Sequence, residues 1–124
     1  MAAPNIVNVT SIVGKTSYLV PDTVSATVLL ANSASTGKVF RVNQITAANT
    51  DGSNQVDVTV AVNSAADGSG TSYPIVSTVA IPADATLIVT DKTTSFYLEE
   101  DKSVVVTAGA SSSLALVVSY EEIN

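Results

Sequence analysis

"QVDVTVAVN", Gln55 to Asn63, decides the fold. Val56, Val58, Val60 and Val62 fall on one side of an extended chain, while Asp57, Thr59 and Ala61 fall on the other. Extended side chains alternate with period two, so the stretch is a strand with one buried and one wet face. The same period runs outward in both directions. "SLALVVSYEE" (Ser113–Glu122) aligns Leu114, Leu116, Val118 and Tyr120. "VSATVLL" (Val24–Leu30) sets Val24, Ala26, Val28 and Leu30 against Ser25, Thr27 and Leu29. In "KVFRVNQI" (Lys38–Ile45), Phe40 and Val42 share a face with Gln44, opposite Val39, Arg41, Asn43 and Ile45.

Further strands are expected at Ile6–Ile12, Lys15–Val20, Ile75–Ile81, Thr86–Thr90, Ser95–Leu98 and Ser103–Ala108. They are rich in Val and Thr, whose branched side chains suit a pleated surface. No segment carries an amphipathic helical stripe. Turn chemistry separates the runs. "NTDGSN" (Asn49–Asn54) offers the Asp-Gly of a hairpin. "SAADGSGTS" (Ser64–Ser72) reads as the most mobile loop. "VPDT", "IPADA" and "TAGASSS" mark further stops.

Roughly nine short strands, spaced about 8–12 residues apart, predict an all-β, two-sheet antiparallel sandwich, jelly-roll-like. One sheet alone would leave too much valine in water. No internal repeat or linker divides the chain, so residues 1–124 form one expected domain.

Charged residues make up only 13% of the chain, against about 25% in ordinary soluble domains. Ser, Thr, Asn, Ala and Val take their place, and such a neutral, hydroxyl-rich surface suits burial against other subunits as well as it suits an ordinary β-domain in water. The net charge of −6 repels phosphate backbones and anionic membranes, so neither nucleic acid nor membrane is an expected partner. The absence of cysteine removes disulfides and thiolate ligands. The absence of histidine removes the commonest general base and metal ligand. "MAAPNIVNVT" lacks a basic start and a continuous apolar run, so no signal peptide is expected. Asn8-Val9-Thr10 matches a glycosylation sequon that means little without secretion.

Gly14-Lys15-Thr16 resembles the tail of a phosphate-binding loop, but the required glycine five positions earlier is Val9. A tight turn between the first two strands is the preferred reading. Asn49, Asp51 and Asp57 space oxygens like a calcium loop. An EF-hand carboxylate should then stand at Val58, which leaves an irregular cation site beside simple Asx-capped turns. Glu99, Glu100 and Asp101 crowd between "FYL" and "SVVV". Neighbouring residues on a strand face opposite ways, so a turn with Lys102 balancing the acids is preferred over a catalytic cluster. The linear chain leaves open whether Glu99 meets Glu121 or Glu122. No catalytic, cofactor-binding or metal-binding residue is therefore expected.

The stretches "MAAPNIVNVTSIVGKTSYLV", "GKVFRVNQITAANTDGSNQVDVTV", "VSTVAIPADATLIV" and "FYLEEDKSVVVTAGASSSLALVVSYEEI" resemble small virion structural proteins of tailed phages infecting marine cyanobacteria. The likeness covers nearly the whole chain as a pattern of strands and turns. It implies a non-catalytic β-sandwich module in the virion, a head decoration or cement protein ahead of a tail or neck component. It further implies self-association as a trimer or larger ring, contact with a major capsid or tail protein, and a place outside the packaged DNA. Those proteins often carry "YLEEGD" where this chain has "YLEEDK", so Asp101 stands where glycine would take φ > 0 cheaply. Tyr18, Tyr73 and Tyr97 offer stacking surfaces for a glycan- or receptor-binding alternative, against burial in the core. "MAAPNIVNVT" reads first as the opening strand of its own domain and second as a strand added to a neighbour.

Overall fold

The computed structural model describes residues 4–124. Nine strands carry the chain: β1 (Ile12–Leu19), β2 (Thr27–Asn32), β3 (Val39–Asn49), β4 (Val56–Asn63), β5 (Ser72–Ile81), β6 (Thr86–Thr90), β7 (Phe96–Leu98), β8 (Lys102–Ala108) and β9 (Leu114–Ile123). A single 3-10 turn, Lys92–Thr94, separates β6 from β7. Asp91 caps it, its carboxylate accepting from the Thr93 amide.

The first sheet runs β1-β9-β3-β6, with β7 also on β3, and the second runs β2-β8-β4-β5. Every pairing is antiparallel: β1 with β9, β2 with β8, β3 with β6 and β7, and β4 with β5. First thus meets last, second meets penultimate, and the β4–β5 hairpin is the tip of one long hairpin rolled across two sheets. That is jelly-roll topology. The two sheets close on a dry interior of Val42, Ile45, Val58, Val60, Leu98 and Val104, all without solvent exposure. Phe40 and Tyr120 stack at one end, ring centres 5.2 Å apart.

The alternation in β4 is as expected, with Val56, Val58 and Val60 inward. Elsewhere bulges shift it. β3 slips register between Val42 and Gln44, so Phe40 and Val42 face the core, followed by Ile45 and Ala47 rather than Gln44. The extra residue of a bulge flips the faces of everything after it. β2 slips between Val28 and Leu30, which buries both Leu29 and Leu30, while Val24 lies before the strand and is exposed.

Three other expectations are corrected. Gly14-Lys15-Thr16 is no turn: it lies inside β1, where eight consecutive residues pair with β9. The continuous ladder outweighs the turn preference of the glycine. Of the strand expected at Ile6–Ile12 only Ile12 is extended, as the first residue of β1; the Val7 amide donates instead to Asn5 Oδ1, a local turn that competes with extended pairing. Met1–Ala3, the start of the expected first strand, lie outside the described residues. Asp51-Gly52 makes no hairpin, because β3 and β4 belong to different sheets and the loop is a corner between them.

Asn32, Asn49 and Asn63 each end a strand and are almost fully buried. Each clasps the loop beyond it. Asn32 Nδ2 donates to the Lys38 and Leu98 carbonyls, and Asn49 Nδ2 to those of Asn54 and Ile81. Asn63 Nδ2 reaches the Gly68 and Gly70 carbonyls, and its Oδ1 accepts from the Ala65 and Gly70 amides. Ser103 Oγ donates to Ala65 O, tying the loop to β8. At Gly68, φ is +81° and a Cβ would press on Val28 and Val105. The Ser64–Ser72 loop expected to be mobile is therefore laid over the second sheet and held there.

Candidate functional site

Glu99, Glu100 and Asp101 form the turn from β7 to β8. Asp101 sits at φ 59° and its amide donates to Asn32 O at 2.8 Å, so it occupies the left-handed position that glycine takes cheaply. Glu99 does not reach the acids of β9. Phe40 of β3 faces Leu98 on one side and Glu122 on the other, which puts a strand between them. Lys102 makes no ion pair among the described residues.

Charge is concentrated elsewhere. Glu122, with its side chain only 13% exposed, is held by Lys15 Nζ at 2.8 Å and Lys38 Nζ at 2.9 Å. The hydrogen bond from Lys15 is the main cause that lowers the Glu122 pKa; partial burial opposes it, and Lys38 adds to the lowering. The same bond raises the pKa of Lys15. Glu121 accepts instead from Asn43 Nδ2. This is a clamp joining β1, β9 and the entry to β3.

Around Asn49–Asp57 the oxygens are already engaged. Asn49 Oδ1 accepts from the Asp51 amide, and Asp51 Oδ1 accepts from the amides of Ser53 and Asn54. Those backbone bonds lower the Asp51 pKa. This is the Asx-turn geometry. Asp57 lies apart on β4, in a shallow groove of about 270 Å³ shared with Thr59, Thr78, Thr107 and Gly109. Thr78 is held at φ 51° at a bulge of β5, its amide donating to Thr59 Oγ1. Val24 and Ala108 complete its lining, so Asp57 is the one charged residue in a largely apolar groove. No group of three or more metal-ligating side chains gathers among the described residues.

The tyrosines come out of the core. Tyr18, Tyr73 and Tyr97 are 80%, 64% and 49% exposed, and Tyr120 is the one buried. They stand on β1, β5 and β7, three different strands at sheet edges, so they build no common stacking platform.

The outward face of the first sheet has a feature that sequence reading passed over. Its cross-strand pairs place Tyr18, Val117, Thr46 and Ile88 in one row across β1, β9, β3 and β6. Tyr18, Val117 and Ile88 are all exposed. The neighbouring row, Thr16–Ser119–Gln44, is uncharged, and so are Ala115, Ala48 and Thr86 on the other flank. Charge returns only in the row of Glu121 and Arg41. The signal was present: in "LALVVSYEE" Val117 puts an apolar side chain on what should be the wet side.

Fold and surface together define a filled jelly-roll sandwich, one face of which carries three adjoining uncharged rows and an apolar row. No protein-family model matches the chain, and no curated protein is significantly similar to it.

Proposed function

We propose that the chain is a non-catalytic structural protein of a bacteriophage virion, a capsid decoration or cement subunit on the outside of the particle. The observation that carries this reading is the outward face of the first sheet. An acidic chain has kept three adjoining rows of that face free of charge and set an apolar row across them, which suits repeated subunit contact rather than a solvated surface. The resemblance to cyanophage virion proteins points the same way. Jelly rolls also build many capsids, a support that rests on fold analogy alone. Net charge of −6 favours a place away from packaged DNA. Many weak, symmetric contacts would supply the hold that no single contact does.

The test is a mass-spectrometric census of purified virions of the phage that encodes the chain. The expected result is a copy number in proportion to the major capsid protein; a count in proportion to tail or neck proteins moves the subunit there, and absence from the particle rejects the reading. A second reading, a glycan-recognising module, draws on the exposure of Tyr73. It requires glycan-array binding that Tyr73→Ala abolishes.

A further inference from the structure

The two sheets have four edges: β1 and the β6/β7 pair in the first, β2 and β5 in the second. Open edges invite pairing with other chains, and proteins block them with bulges, proline, interruptions or charge. Three of the four are blocked. β5 contains Pro74 and two register shifts. β2 is short and bulged. The 3-10 turn interrupts the edge between β6 and β7. β1 has none of these devices. All eight of its residues pair with β9 without a register shift, and it contains no proline. Its single charge, Lys15, is drawn back to Glu122 and does not guard the edge.

β1 is also self-complementary. Tyr18 projects from the outward face with 80% exposure, while four residues earlier a Cβ built on Gly14 would meet nothing within 4 Å. Both lie two residues from Thr16, on the same face. An antiparallel pair of β1 strands, related by a two-fold axis through Thr16, sets each Tyr18 against the partner's Gly14. It also pairs Val13 with the partner's Leu19 and Lys15 with the partner's Ser17. Aromatic cover of an edge glycine is a known source of strand pairing. Shifting the axis by one residue towards the start of β1 would set Lys15 against the partner's Lys15, and like charges directly opposed are unfavourable.

We propose that β1 is a homodimerisation edge, in which a second copy of the chain adds its β1 antiparallel about Thr16 to form one sheet running through both molecules. The axis stands perpendicular to the sheet, so the two outward faces, with their uncharged rows, lie on the same side. The proposal rests on edge geometry and stands apart from the virion reading. A monomeric chain found in virions would reject this proposal only, and a dimeric chain absent from virions would reject the other only.

The chain has no cysteine, so single cysteines report the contact cleanly. Sedimentation should show a monomer–dimer equilibrium that Tyr18→Ala weakens about tenfold, through two lost cross-strand contacts per dimer. Thr16→Lys should give a monomer with its thermal transition retained. Under mild oxidation Thr16→Cys should cross-link at least about tenfold faster than Tyr73→Cys, since opposed Cα atoms lie about 4.5–5.5 Å apart, within disulfide reach. A chain monomeric up to its solubility limit overturns the proposal. So does a dimer that survives Thr16→Lys, or one that cross-links as readily through Tyr73→Cys.

Discussion

Asn63 shows how much of this fold hangs on single polar side chains. It is 1% exposed, yet both ends of its amide are satisfied by the loop that follows. A buried amide without those partners would be costly, and the loop's own carbonyls would be orphaned without the amide. Asn63→Ala should destabilise the chain by about 3 kcal/mol, several net hydrogen bonds together with newly unsatisfied groups. Urea unfolding checks it, with the solvent-facing Ser69→Ala as a control expected within about 0.5 kcal/mol. In sequence Asn32, Asn49 and Asn63 look like ordinary turn residues. Their burial depends on loops folding back over them, which local pattern does not encode.

At the scale of elements, the clamp at Glu122 joins β1 and the start of β3 to β9. Its pKa is lowered in the folded state, so its contribution is present above the ordinary glutamate value of 4.5 and fades as pH falls through the lower folded value. Lys15 is the converse case: its raised pKa adds stability below the ordinary value of 10.5 that is lost as pH climbs beyond it. Because both lysines are well exposed, Glu122→Gln should cost no more than about 1 kcal/mol at neutral pH. That difference should shrink towards zero in urea titrations carried out well below pH 4.5. A difference that persists unchanged in acid would assign the loss to shape rather than charge. The strands themselves were largely legible, Thr86–Thr90 to the residue. The errors fell at bulges in β2 and β3 and at Gly14, where a partner strand sets the geometry, at residues 6–11, which form no strand, and at Asp51-Gly52, which turns between sheets.

For the whole molecule, the pairing of Ile12 with Ile123 and of Leu19 with Leu116 closes nearly the full length of chain. Such long-range pairing must overcome loop-closure entropy before it is rewarded, so refolding is expected on a millisecond-to-second scale. Stopped-flow refolding checks this, and a microsecond phase accounting for the full amplitude would contradict it. The sequence by itself determined that the chain is all-β, that strands such as β4 turn their valines inward in alternation, and roughly where each strand stops. Those features follow from the period of the side chains and from turn residues, both local. Only the tertiary structure decided which strand meets which, that Asp51-Gly52 turns a corner between sheets, that the Ser64–Ser72 loop is pinned, and that three tyrosines stand outside. The exposed β1 edge and the uncharged rows belong with these. Each is made of residues distant in the chain, brought side by side by hydrogen-bond ladders whose partners no short stretch of sequence can name.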